Sequence, residues 1–205
     1  MADSPTELAA DRSEAAQVQT TVLLVPLGEV DDDLVEAAEV ALRDELNVEV
    51  IRREPIPLPS EAYYRPRKRY RADLILDHLD TLELPGELEG TVKVMGLTEV
   101  DISTTNGDIP DWGIFGLGSL AGRSCVVSTK RLKRRPKNRA HLRRRVASVV
   151  VHEVGHTLGL SHCDEVEARC VMLDAEGGIE NTDTTTGGLG PVCRAKLRAR
   201  GLFSG

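Results

Sequence analysis

His152, Glu153, His156, Gly159 and His162 stand in the order His-Glu-x-x-His-x-x-Gly-x-x-His. On a helix, residues four apart share a face and sit about 6 Å apart along the axis. His152 and His156 can therefore turn both imidazoles toward one ion. Continued helix would carry His162 about 15 Å from His152 and roughly 80° around the axis, out of reach of that ion. The chain must leave the helix between His156 and His162. Gly159 permits this, because glycine tolerates a left-handed C-terminal turn. Three imidazoles with a fourth position open to water are the donor set of a catalytic zinc rather than a structural one. Glu153 points to a neighbouring face, where it reaches a water on the zinc and not the zinc itself. Zinc lowers the pKa of such a water to about 7. Glu153 is then the expected general base, which takes that proton and delivers it to a leaving amine. The zinc would polarise the substrate carbonyl and stabilise the oxyanion. Together these parts make a mechanism for amide hydrolysis.

The five fixed positions arise by chance in about 1 of 100,000 shuffles of this chain, far more rarely than a bare two-histidine motif. The plain alternative is a helix with two half-buried histidines and an ordinary C-cap glycine. Val146–Val154 is rich in β-branched residues, which weakens helix propensity and could be read as a strand. On a strand, His152 and His156 would stand about 13 Å apart and share no ion. A helix from Asn138 to Leu158 is therefore expected.

The elements before that helix suggest an α/β layer. Thr20–Pro26 is a short apolar run bounded by Pro26 and Gly28, and reads as a buried strand. Asp31, Asp32 and Asp33 open a helix at its dipole-favoured end, with Leu34, Ala38, Ala41 and Leu42 facing inward and Asn47 near its end. Val48–Arg52 is the next strand, so the three elements form a right-handed βαβ crossover. Pro55–Pro66 holds four prolines and reads as a loop, with Tyr63 and Tyr64 packing within it. Arg71–Leu82 has helical spacing, with His78 alone on it. Thr91–Asp101 reads as one or two strands. Gly107–Gly122 holds five glycines and reads as a loop of unusual freedom, a mobile rim over the zinc. Cys125–Ser128 is a further strand. Cys163–Gly190 reads as irregular, and Pro191–Leu202 as a closing helix with proline near its start. The expected organisation is a loose tail over 1–19, a sheet-and-helix unit over 20–162, and a small Cys-containing unit over 163–205.

Composition excludes several classes. The chain has 205 residues, enough to bury a core without disulfides. Aromatics make up only 3%, which argues against a single-strand nucleic-acid reader that stacks bases. A formal charge of −7 excludes a wholly basic DNA-coating protein. No apolar run is long enough to span a bilayer. The acidic start, Met1-Ala-Asp-Ser, lacks the basic and apolar parts of a secretory leader, so a cytoplasmic location is expected. Four cysteines are too few for a disulfide scaffold and read as metal ligands or core thiols. Lys130–Arg145 carries ten bases in 16 residues. A nucleic-acid patch is one reading. A solvated loop and helix start, its arginines paired with local acids, is the favoured one. His141 fits no ligand spacing.

The motif and the segment C-terminal to it resemble the archaemetzincin family of the metzincin clan of zinc metalloproteases. In that family a Cys directly follows the third His, as Cys163 does here. Next come Cys-x-Met, 17 residues and Cys-Pro-x-Cys. Cys170-Val171-Met172 and Gly190-Pro191-Val192-Cys193 match at that spacing, with Gly190 where the family has its first Cys. The gap between Cys163 and Cys170 is two residues longer than the family's usual one. The motif region spans 42 residues, from His152 to Cys193. The resemblance implies a metzincin-like mixed, twisted sheet, a catalytic zinc on His152, His156 and His162, and Glu153 as base. It implies that Met172 lies in a turn beneath the metal. It also implies a second, structural zinc on four thiolates, of which Cys163, Cys170 and Cys193 remain. Asp164, a water or Cys125 would have to complete it; a disulfide or three simple buried thiols are the alternatives. The expected function is a zinc-dependent metallopeptidase acting on peptide or protein substrates through Glu-assisted attack of a zinc-bound water. The alternative is a non-catalytic zinc-containing protein that binds nucleic acid through residues 130–145. Nothing in the sequence sets an oligomeric state.

Overall fold

In the computed structural model, residues 20–202 are described, apart from 85, 87, 89, 165, 167 and 175–177. The expected 1–19 tail lies outside them. Strand β1 is Thr20–Leu27, with all eight residues buried. Helix α1, Asp32–Leu46, starts where Asp31 accepts the backbone N–H of Asp33 and ends where Asn47 turns left-handed at φ 50°. The chain returns as β2, Glu49–Arg52, parallel to β1 with Val22 opposite Val50. This is the expected strand–helix–strand unit.

The middle of the chain holds more strand than the sequence suggests. The proline-rich segment contains β3, Tyr63–Tyr64, followed by β4, Arg69–Arg71. Helix α2, Ala72–Asp80, leads to a single strand β5, Thr91–Thr98. Strands β6, Ile102–Asn106, and β7, Ile109–Ile114, form an antiparallel hairpin. Then come β8, Gly116–Gly118, and β9, Ser124–Ser128. The glycine-rich 107–122 segment is therefore two strands and their turns, not a free loop. Its glycines permit close approach as well as turning: a Cβ at Gly113 would collide with the Arg131 guanidinium. Tyr63 stacks obliquely on Tyr70, centroids 5.1 Å apart, and neither Tyr63 nor Tyr64 lines the cleft.

Two mixed sheets result. The larger has the order β2-β1-β5-β9-β8, the smaller β3-β4-β6-β7. Among the described residues, β8 alone in the larger sheet runs antiparallel, and it pairs only with β9, at the edge. Period-two alternation along β1 explains how the layers pack. Val22 and Leu24 join Leu34 and Leu42 of α1, while Leu23 and Val25 join Ile75 and Leu79 of α2. Three helices close the chain after the short α3, Thr129–Leu132: α4, Arg139–Thr157; α5, Ile179–Thr184, inside the segment expected to be irregular; and α6, Pro191–Ala199.

Helix α4 carries Val146, Val149, Val150, Val151 and Val154, all buried. Each buried valine contributes about 1.5 kcal/mol or more. That exceeds the few tenths by which β-branching disfavours a helix, so tertiary burial decides the conformation. Asn138 caps it through the N–H of His141 at 2.8 Å. Five of the ten bases of 130–145 meet acids, Arg145 pairing with Asp183 at 2.6 Å. Arg131 grips Asp101 at 2.6 Å, Lys133 meets Glu99 at 2.5 Å, Arg139 pairs with Asp31 and Asp33, and Arg143 with Asp33 and Glu36. Among the described residues no helix is long and apolar enough to cross a membrane.

Candidate active site

The last two turns of α4 bring His152 and His156 edge to face, ring centroids 4.6 Å apart. The helix then ends as a Schellman turn. The N–H of Gly159 bonds the His156 carbonyl at 2.8 Å, and that of Leu160 bonds the Gly155 carbonyl at 3.0 Å. Gly159 stands at φ +88°, a conformation that L side chains rarely adopt. A Cβ there would also collide with Arg200, whose guanidinium donates to the Leu158 carbonyl at 2.7 Å. The turn sends the chain back so that the His162 ring lies 5.3 Å from His152 and 5.0 Å from His156. One donor atom from each of the three histidines lies within 4.8 Å of the others.

The outer ring nitrogens explain how the inner ones are aimed. His152 Nδ1 lies 2.8 Å from the Val171 carbonyl, and His156 Nδ1 lies 2.7 Å from that of Leu160. A carbonyl accepts only, so both Nδ1 atoms carry hydrogen and both Nε2 atoms of the neutral rings are bare. Burial, and then the charge of His156, push His152 down to about 4, so it is neutral near pH 7. Burial likewise lowers His156. The two Nε2 atoms stand 3.0 Å apart with lone pairs facing. Two acceptors at that distance need a cation between them, and a divalent ion with nitrogen preference fits. His162 Nδ1 lies 3.3 Å from an Asp174 carboxylate oxygen. Sequence reasoning missed Asp174 and both carbonyls. Val171 lies one residue before Met172 and Asp174 two after it, but only folding shows that they face the imidazoles.

Glu153 lies between the two helical histidines in the chain and is buried. Burial pushes its carboxyl up to about 8. Edge strand β8 covers it: a Cβ at Gly116 would stand 2.6 Å from Glu153 Oε1, and one at Gly118 2.6 Å from the Glu153 carbonyl. The turn that follows this strand is fixed to the helix end by the N–H of Ala121, which bonds the His156 carbonyl at 2.9 Å. Below α4, Gly155 makes room for Met172, whose Sδ would lie 2.6 Å from a Cβ there. A cleft of about 570 Å³ opens over the histidines. Its walls are the β6–β7 hairpin at Thr104 and Trp112, strand β8, and Val171, Leu173 and Thr182.

Cys163, Cys170 and Cys193 form a second convergence, with all three sulfurs within 4.8 Å of one another and buried. No Asp, Glu or His joins them among the described residues. Asp164 is exposed and outside the group, and Cys125 sits on β9, so neither supplies a fourth ligand. All four cysteines are free thiols. His141 is structural: its Nδ1 accepts the Lys137 N–H and its Nε2 lies 2.9 Å from Asp183.

A mixed sheet crossed by a helix whose end bends three imidazoles together defines a zinc metallopeptidase of the metzincin type. The sequence pattern of Peptidase family M54 matches residues 27–199, and the chain belongs to that family. An archaemetzincin of Haloarcula marismortui is 36% identical over 156 residues, covering 73% of this chain and 83% of its own. One of Methanocaldococcus jannaschii is 29% identical over 187 residues, covering 89% and 95%. Among solved structures, archaemetzincin from Methanopyrus kandleri is similar at a TM-score of 0.74 and 26% identity, over 91% of this chain and 97% of that one. That from Archaeoglobus fulgidus, solved with malonate, gives 0.69 and 27%, over 86% and 99%.

Proposed function

We propose that this zinc metallopeptidase cuts peptide bonds with a zinc held by the Nε2 atoms of His152 and His156 together with His162, and with Glu153 as general base. The observation that carries this reading is the pair of bare Nε2 atoms 3.0 Å apart, each locked by a backbone carbonyl on its outer nitrogen. Zinc, when bound, supplies Lewis acidity to a water and to the scissile carbonyl. Glu153 takes the proton from the attacking water at its carboxylate and returns it to the leaving amine. A carboxyl whose affinity for a proton has been raised by burial suits both transfers. Asp174 holds the third imidazole through Nδ1. Strand β8, paired on one side only, offers its free backbone edge to an extended peptide, which adds as a further strand. The cleft beside it receives a substrate side chain. In this division, residues 20–162 supply the sheet and α4, and residues 163–205 supply the Met172 turn beneath the site. Four free thiols accord with a reducing, cytoplasmic setting.

The test is metal analysis beside a peptide-library cleavage screen. Glu153→Gln keeps the zinc and loses about 10²- to 10⁴-fold in cleavage rate. His156→Ala loses both. Wild-type turnover by Glu153→Gln, or full zinc retention by His156→Ala, overturns the assignment.

A further inference from the structure

The three-cysteine cluster does not fit the group that its surroundings imply. A structural zinc takes four protein ligands in a closed tetrahedron. Here the fourth corner belongs to Gly190, which has no side chain, and its backbone N–H instead donates to Cys170 Sγ at 3.1 Å. No carboxylate or imidazole of the described residues stands in for it. Yet the three sulfurs come from three separate segments, after His162, before Met172 and in the first turn of α6, and still converge within 4.8 Å. Cys170 and Cys193 have no exposed surface and Cys163 only 6%.

We propose that Cys163, Cys170 and Cys193 form a binding site for a trivalent thiophilic ion of the arsenite class, held by three sulfurs and needing no fourth ligand. Two physical arguments select this class. The first is stereochemical: trivalent arsenic makes three bonds in a pyramid and fills its fourth corner with its own lone pair, so the gap at Gly190 costs it nothing. The second is electrostatic. Three thiolates around a divalent ion leave one uncompensated negative charge, and around a monovalent ion two. Around a trivalent ion they leave none. An uncompensated charge in a buried site is expensive. Soft thiolates also match the ion by ligand type. The exchange balances without an oxidant: three As–O bonds of arsenous acid break, three As–S bonds form, and the three thiol protons leave with the three hydroxides as water. Because Cys163 directly follows His162, an occupied cluster pins the segment that carries the third imidazole.

The experiment uses the reduced full chain treated with a chelator and then offered sodium arsenite or zinc under anaerobic conditions. Native mass spectrometry counts bound ions, and X-ray absorption reports whether their ligands are sulfur. Wild type should take one arsenic per chain on three sulfurs. Cys163→Ser, Cys170→Ser and Cys193→Ser should each lose it, with circular dichroism as the check on folding, while Cys125→Ser should retain it. Gly190 sits at φ −71°, ψ 167°, which a cysteine adopts freely. Gly190→Cys should therefore raise the retention of sulfur-bound zinc about 100-fold, by completing the tetrahedron. Its arsenite affinity should stay within about threefold of wild type, since three sulfurs already suffice. Sulfur-bound zinc held as firmly by wild type as by Gly190→Cys overturns the proposal in favour of a structural zinc. A wild type that takes up no arsenic overturns it in favour of plain packed thiols. Both outcomes are read at sulfur, so they are independent of whether the three histidines bind zinc.

Discussion

Replacing Gly116 by alanine adds one methyl group to the strand that covers Glu153. The added carbon would stand 2.5 Å from Glu153 Cγ, 2.7 Å from Cδ and 2.6 Å from Oε1. Carbon atoms rest about 3.5 to 4.0 Å apart, so the carboxylate must retreat by about 1 Å. The methyl meets a side chain, not a backbone, so the fold can absorb it at about 1 to 3 kcal/mol of overpacking. Catalysis cannot absorb it as easily, because a displacement of about 1 Å at a reacting group costs on the order of 100-fold. Gly118→Ala makes the contrasting case. Its methyl meets the Glu153 backbone carbonyl at 2.6 Å, and that carbonyl belongs to α4. The strand must then move away from the helix, so stability should fall at the upper end of that range and peptide binding should weaken with it. The assay is kcat and KM on a quenched fluorescent peptide, read beside thermal melting. Gly116→Ala should lose kcat with KM nearly unchanged and a small drop in Tm. A Gly116→Ala enzyme with wild-type kcat would show that β8 does not set the position of Glu153.

Gly155→Ala should destabilise by about 1 kcal/mol, the crowding of Met172 Sδ at 2.6 Å outweighing the better helix propensity of alanine. In a double-mutant cycle with Met172→Ala that penalty should vanish, and its persistence would place the strain elsewhere. The hydrogen bond from Arg145, reinforced by His141, holds Asp183 at about 2, below its ordinary 3.8. A depressed carboxylate stabilises the fold above its unfolded pKa, and this contribution is lost as the pH falls from about 4 through 2. Full conversion gives about 2 kcal/mol, and solvent at a side chain 30% exposed reduces it to about 1. Asp183→Asn should therefore cost about 1 kcal/mol at neutral pH and flatten the acid limb of a urea-denaturation series, and an unchanged limb counts against the pair. Chelation should lower Tm, and zinc restored at about 100 times its Kd should return about 2.7 kcal/mol. A Tm indifferent to chelator would mean that no tightly held ion supports the native state.

Local chemistry makes much of this molecule readable from its residues. Asp31 and Asn47 bracket α1 because a carboxylate cap and a left-handed asparagine work within a few bonds of the backbone they satisfy. The bend at Gly159 is readable because the spacing of three histidines admits no straight helix. The 107–122 segment misleads for the converse reason. Its glycines signal freedom to a reader of one strand, whereas Gly113, Gly116 and Gly118 answer to Arg131, Glu153 and His156 on other elements. The smaller sheet is hidden likewise, since β4 pairs with β6 across about 30 residues and neither is long enough to show alternation. The basic stretch ahead of α4 is legible as charge in need of partners, but not which acids would answer.

Arg200 gives the molecule a long lever. One guanidinium from the end of α6 holds the Leu158 carbonyl, 42 residues earlier, where the helix gives way to the bend. The spacing of the imidazoles is thereby only as steady as the anchorage of a nine-residue helix far along the chain. Fraying at that distant end would be felt first as slack between the second and third histidines. The hydrolytic centre would then lose its shape well before the sheet beneath it began to melt.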